Sequence, residues 1–199
     1  MSKKNMGLAV LACSLLFGIG LTSAYLINGQ YKVNTFTIGS NAIDIVEEYD
    51  PPTELVTGEN VYSKKVQVQN TGSVPCYVRV FAEFSNSEIE AISEISPDGE
   101  NFYAAGEIEQ YLPNNWVYID LDSDSLLGGY YYYTEELASN ALTIPLFEKI
   151  KTTFETADDI SEYDIIVYSE SIQSKSREGI SFTGDDAWQQ AWTEFLGGK

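Results

Sequence analysis

The alternation in residues 66 to 84, VQVQNTGSVPCYVRVFAEF, constrains the fold of this chain more than any other stretch. Val66 and Val68 alternate with Gln67 and Gln69, and Val78, Val80, Ala82 and Phe84 alternate with Arg79 and Glu83. Side chains of an extended backbone point to opposite faces in turn. A period of two on both sides of a break therefore specifies two β-strands, each with one face in a core and one in water. The break is Asn70, Thr71, Gly72, Ser73 and Pro75, so a hairpin is expected. In that hairpin Asn70 and Gly72 supply tolerance for left-handed backbone, and Pro75 fixes the entry to the second strand. Arg79 falls on the outward face beside Glu83, which favours a paired surface residue over a catalytic cation. Cys76 shares the register of Val78 and Val80, which favours a buried, inert thiol.

The same period recurs along the chain. Tyr25 to Ile38 is an extended, β-prone segment that ends in a strand at Thr35 to Ile38. Ile43, Ile45 and Glu47 then alternate against Asp44, Val46 and Glu48. Asp50, Pro51, Pro52, Thr57 and Gly58 form a loop, because paired prolines cannot continue a ladder. Residues 85–115 read as an insertion. Its SEIEAISEI stretch fits either a short helix with Ile89, Ile92 and Ile95 on one side or a strand, ended by Pro97, Asp98 and Gly99. Phe102, Tyr103, Tyr111 and Leu112 are expected to cover one edge of the core. Trp116 to Leu121 resumes the alternation.

Tyr130 to Tyr133 reads as a strand packed on both faces, in preference to a ligand-binding aromatic patch. Leu142 to Phe147 and Ile150 to Phe154 read as two short extended stretches, and Tyr163 to Gln173 as the last strand. Trp188, Ala191, Trp192, Phe195 and Leu196 lie at i, i+3, i+4, i+7 and i+8. That spacing predicts an amphipathic helix over 185–196, introduced by Asp185 and Asp186 and stopped by Gly197 and Gly198. Capping the core is favoured over reaching a partner for its two tryptophans. Short strands at regular spacing with no βαβ pattern give an all-β chain. Both a jelly roll and an immunoglobulin-like form suit such an antiparallel β-sandwich with a helical insertion and a short C-terminal amphipathic helix.

Lys3 and Lys4, the apolar run Met6 to Leu21, and the small residues Thr22, Ser23 and Ala24 have the pattern of a signal peptide over residues 1–24, with cleavage between Ala24 and Tyr25. The alternative of an uncleaved anchor is weakened by Gly18 and Gly20. Lipid attachment at Cys13 is weakened by the apolar run continuing through Leu15, Leu16, Phe17 and Ile19. Residues 25–199 then form one secreted domain whose single cysteine, Cys76, cannot make an internal disulfide. The expected contact with membrane is through the leader before cleavage, with a signal peptidase as partner during export. The net charge is −19, and two of the few lysines lie in the leader. Such a surface repels nucleic acid and anionic lipid, and serves either solubility or divalent-cation binding.

The chain contains no histidine. A histidine-zinc site, an HExxH motif and a Ser-His-Asp triad are therefore all excluded. Adjacent carboxylates such as Glu47 with Glu48, or Asp158 with Asp159, favour a solvated surface over an acid-base pair. Asp120, Asp122 and Asp124 have the spacing that opens a calcium-binding EF-hand loop. Ser125 stands where the turn glycine belongs and Tyr131 where the bidentate glutamate belongs, so calcium stays a weak expectation and no other cofactor is expected.

The segments AYLINGQY, NTFTIGSNAIDIVEE, VQNTGSVPCYVRV, NNWVYIDLD, GGYYYYTEEL, TIPLFEKI and DIIVYSESIQS, in this order, resemble the TasA and camelysin family of Gram-positive bacteria. The resemblance implies a secreted jelly-roll domain, released by a dedicated signal peptidase and assembled into biofilm matrix fibres, with itself or related matrix proteins as partners. It further implies that the N-terminal segment of one subunit completes a sheet of the next. The residues matching that role are Tyr25, Leu26, Ile27, Tyr31, Val33, Phe36 and Ile38. Physically they suit it, since an extended β-prone segment can add to an open sheet edge through main-chain hydrogen bonds. Camelysin-like relatives are described as metallopeptidases, which the missing histidines argue against here. A calcium-dependent surface module is the remaining alternative. The location implied is extracellular, in the matrix or on the cell surface.

Overall fold

Each period-two stretch within the described residues forms an antiparallel strand, and the strands build two sheets. The computed structural model describes residues 40–121 and 125–197. The leader, the junction of Ala24 with Tyr25, and the segment from Tyr25 to Ile38 lie outside the described residues. Among the described residues one sheet has the order β1 (Ile43–Asp50), β2 (Gly58–Asn70), β8 (Phe147–Phe154), β4 (Ser93–Ser96), β5 (Tyr103–Ala104). The other has the order β6 (Trp116–Ile119), β7 (Tyr130–Tyr133), β3 (Cys76–Phe84), β9 (Ile165–Gln173). Val66, Val68, Ile150 and Phe154 from the first sheet share one core with Cys76, Val78, Val80 and Tyr133 from the second. The chain is thus an all-β sandwich, and each fully buried aliphatic side chain contributes roughly 1.5–3 kcal/mol to holding its sheets together.

The expected hairpin at residues 66–84 is an arch instead. β2 pairs with β1 and β8, whereas β3 pairs with β7 and β9 in the opposite sheet. Alternation fixes which face of a strand is apolar but not which strand lies beside it. Here the inward valines of β2 and β3 oppose each other across the core. Asn70 holds the crossing. Its side chain is fully buried and donates to the Val74 carbonyl at 2.8 Å and the Leu137 carbonyl at 2.9 Å, while its Oδ1 accepts from the Gly72 amide at 2.9 Å. Neither Asn70 nor Gly72 has positive φ, so the left-handed role expected for them is not the one they play. Among the described residues positive φ falls at Asn115, Asn140 and five glycines, including Gly58 and Gly99 of the expected turns.

Cys76 is fully buried, and desolvation pushes its thiol up from 9.0 to about 12. The native state therefore favours the protonated thiol. Its contribution to stability is complete below the unfolded thiol's titration and is lost as pH rises through the interval between those two values. We expect a thiol reagent to leave native Cys76 unlabelled at pH 8 and to label it fully in urea; rapid native labelling would contradict this burial.

Residues 85–115 are partly built into the sheet. The ambiguous SEIEAISEI stretch is both of its alternatives in succession, a one-turn helix α1 (Ser87–Ala91) and then strand β4. Asn86 caps α1 by accepting from the Glu88 amide at 2.8 Å. Ile89 and Ile95 enter the core while Ile92, at the junction, is exposed. A 3-10 helix, Ala105–Tyr111, follows β5 and buries Ala105 and Ile108. The stretches expected separately at 142–147 and 150–154 resolve differently, because Pro145 cannot donate to a ladder. Residues 142–146 follow β2 irregularly, with the Thr143 and Leu146 amides bonded to the Val68 and Val66 carbonyls, and β8 begins only at Phe147.

The C-terminal helix α2 (Ala187–Gly197) lies on the outer face of the second sheet. Trp188, Ala191 and Trp192 form a second apolar cluster there with Tyr77, Tyr132 and Ile172. The tyrosine run is packed on both faces as expected: Tyr132 lies beneath α2, and Tyr131 and Tyr133 pack in the main core. Phe195, assigned to the buried face, sits at its margin against the Trp192 ring.

Arg79 is the larger correction. It does face away from the main core, but α2 covers that face, so the residue is buried rather than at the surface, and its carboxylate partner is Glu170 rather than Glu83. Its Nε donates to Glu170 at 2.6 Å and a terminal nitrogen donates to the Tyr132 hydroxyl at 3.2 Å. The guanidinium lies 3.9 Å from the centre of the Tyr130 ring and 4.4 Å from that of Trp192. Burial works against its charge, yet the hydrogen bonds to Tyr132 and Glu170 prevail and raise its pKa.

Candidate functional site

Four strands end the two sheets among the described residues, and two of them, β1 of one sheet and β9 of the other, lie next to each other. An exposed strand leaves a row of backbone donors and acceptors that can template another strand. The rim is apolar in places, with Val46, Tyr49 and Ile166 all exposed. β1 is also acidic, carrying Asp44, Glu47, Glu48 and Asp50. Like charges brought opposite one another oppose the pairing of this edge with its own copy.

The chain reaches this rim through Ser40, Asn41 and Ala42, which are clamped against the arch. The Thr71 and Gly72 amides both donate to the Ala42 carbonyl at 2.9 Å, and the Ser73 amide donates to the Ser40 carbonyl at 2.8 Å. The Ser40 amide returns a bond to Ser73 Oγ at 2.9 Å. Asn41 ties the same point to β9, donating to the Ser171 carbonyl at 3.0 Å and accepting from Ser171 Oγ at 3.1 Å. Gly72 is required by space. A Cβ there would run into the Ser40 carbonyl and lie 2.7 Å from the Ala42 nitrogen. The clamp therefore fixes Ser40, where the described chain begins, against the arch.

At the other end of the rim is a groove of about 860 Å³, whose walls include Tyr49, Pro51, Leu55, Tyr62, Tyr163 and Asp164. The Tyr62 and Tyr163 hydroxyls in its wall begin a chain that runs into the sandwich. Tyr62 and Tyr163 are 2.6 Å apart, Tyr163 and Thr152 Oγ1 2.8 Å, and Thr152 and Ser93 Oγ 2.8 Å. Ser93 closes the chain by donating to the Ile89 carbonyl at 2.7 Å. Burial raises the Tyr62 hydroxyl pKa strongly, which keeps the group protonated. This arrangement has the form of a structural network that a groove exposes at one end. Tyr163→Phe should lower stability by about 1 kcal/mol in a urea titration, the ordinary net worth of such hydrogen bonds.

The carboxylates singled out from sequence do not converge. Glu47 and Glu48 point to opposite faces of β1, and Glu47 pairs with buried Lys64 at 3.0 Å. Asp159 caps a short turn by accepting from the Thr156 amide at 2.9 Å and from its hydroxyl at 2.7 Å. Asp120 follows β6, while Asp122 and Asp124 lie outside the described residues. Among the described residues no group of three or more His, Cys, Asp or Glu is placed to hold a metal ion, and no helix is long and apolar enough to cross a membrane.

The clamp was not anticipated from sequence, although Gly72 at the centre of a turn was its one signal. The adjacency of β1 and β9 left no trace, since their residues are far apart in the chain. Comparison of the chain with protein-family models and with curated proteins finds no match.

Proposed function

We propose that this chain is a secreted structural protein, a biofilm matrix fibre subunit or an accessory matrix protein, with no enzymatic activity. It assembles when the segment from Tyr25 to Ile38 of one copy adds as a strand to the rim of the next. The observation that carries the reading is the acidic, partly apolar edge β1 beside β9, with the chain entering at the clamp on Gly72. The segment itself, YLINGQYKVNTFTI, has no acidic residue and one lysine, Lys32, so its charge complements β1 where a second β1 would be repelled. Strand addition of this kind draws affinity from main-chain hydrogen bonds and specificity from pockets for alternate side chains, and the groove at Tyr49 and Tyr163 is one such pocket. The resemblance of the strand segments to the TasA and camelysin family supports the same reading, as does the leader pattern for export.

A peptide of residues 25–38 added to protein lacking them tests the pairing. Saturable binding with slowed amide hydrogen exchange in β1 is the expected outcome, weakened by Lys32→Glu in the peptide. Absence of protection along both β1 and β9 would overturn it.

A further inference from the structure

Tyr103 and Tyr111 form a stacked pair, with ring centres 3.9 Å apart and planes inclined by 11°. Other tyrosine pairs in the fold are tilted or edge-on: Tyr118 with Tyr131 at 44°, Tyr130 with Tyr132 at 59°, and Tyr49 with Tyr62 at 71°. Aromatic pairs ordinarily sit with centres about 4.5–7 Å apart, so the 103–111 stack is unusually close. Tyr111 is 41% exposed and Tyr103 is half-buried, so a solvent-borne oxidant reaches the pair. Phe84 with Tyr163 is also stacked among the described residues, but phenylalanine has no phenol to oxidise.

We propose that Tyr103 and Tyr111 are a site of oxidative cross-linking, joined within one chain as dityrosine by a haem peroxidase acting with hydrogen peroxide. Each phenol gives up one electron and one proton to become a phenoxyl radical, whose unpaired spin is shared with the ring carbons ortho to oxygen. The new bond forms between two such carbons, whose p orbitals point out of the ring planes; a face-to-face stack aims them at each other, and a tilted or edge-on pair does not. The two ortho hydrogens then move to the oxygens as the rings regain aromaticity. The balance is two tyrosines converted to one dityrosine with loss of two protons and two electrons, which reduce the peroxide to two waters.

The position gives the bond a structural role. β5 ends its sheet on the side opposite to β1, and the 3-10 helix that ends at Tyr111 is in contact with it. A link from Tyr103 to Tyr111 ties that helix to this edge strand and leaves the β1 rim untouched. It supplies a covalent closure to a fold whose one described cysteine is buried and free.

The test is treatment of the intact protein with a haem peroxidase and limiting peroxide, read by dityrosine fluorescence and by mass. The expected product is a monomer lighter by two hydrogens, formed at a rate independent of protein concentration. Cleavage after Glu107 and Glu109 should leave the Tyr103 and Tyr111 peptides joined. Tyr111→Phe and Tyr103→Phe each keep a ring in the stack and should each abolish the monomeric product, while Tyr49→Phe should keep it; near-UV circular dichroism verifies that the variants are folded. Cross-links that map to other tyrosines, form only between chains, or survive both Phe variants would overturn the proposal.

Discussion

Trp192→Ala should lower the stability of the protein by about 4 kcal/mol, the usual scale for deleting a fully buried large aromatic side chain. Trp192 is wholly inaccessible, packs edge-on against Tyr132 and covers one face of the Arg79 guanidinium. Its removal opens a cavity and lets water reach a cation whose partners are arranged for a dry site. Arg79→Leu should act at the same place through a different cause, leaving Glu170 without its cation and the Tyr130 and Trp192 rings without the group between them. Glu170 is partly exposed and Tyr168 still donates to it at 2.7 Å, so the loss should be smaller, about 2–3 kcal/mol. Trp192→Phe supplies the control. The Trp192 Nε1 is buried without a hydrogen-bond partner, so phenylalanine removes an unsatisfied donor along with part of the ring and should cost much less than alanine. Denaturant titrations followed by tryptophan fluorescence and far-UV circular dichroism would rank the three; an Ala variant as stable as the Phe variant would show that α2 does not depend on this contact.

Gly72→Ala should have the second large effect, at the clamp where Ser40 and Ala42 meet the arch. The added methyl meets backbone atoms of Ser40 and Ala42 rather than the yielding end of a side chain, so the clamp must open or the arch must shift. Either change forfeits hydrogen bonds from the Thr71, Gly72 and Ser73 amides, a loss of roughly 2–3 kcal/mol. The sandwich core, built on other residues, should survive. Hydrogen exchange should then quicken at residues 71–73 while β3 and β8 stay protected. Exchange quickened equally throughout would mean that the arch is part of the global folding unit.

Much of the sandwich is legible in the sequence because alternation is a direct consequence of a strand with one face in the core. The last helix is legible for a related reason, since its 3.6-residue period reports which residues must be covered, while four consecutive tyrosines put two rings on each face of a strand. What alternation cannot report is the partner of a strand. Residues 66 to 84 look identical whether β3 folds back beside β2 or crosses to the opposite sheet, and the choice is made by the buried Asn70 amide and by chain arriving from Leu137 and Ala141. The burial of Arg79 is not legible from alternation, because its outward face is covered by a helix that begins more than a hundred residues later. Gly72 is required by crowding rather than by backbone freedom: its φ is not positive, and an added Cβ would meet Ser40 and Ala42. The proposed assembly site combines both kinds of feature. Its strands were visible in sequence, but their adjacency at one rim arises only from the way the two sheets stack.

The proposed assembly requires the segment from Tyr25 to Ile38 to act as the strand that links copies. The most direct measurement is negative-stain electron microscopy of residues 25–199 beside residues 39–199, over a series of protein concentrations and pH values. The longer protein should form fibres and the shorter one should remain monomeric yet folded. Fibres of equal abundance from both, or persistent monomers from the longer protein under every condition, would contradict it.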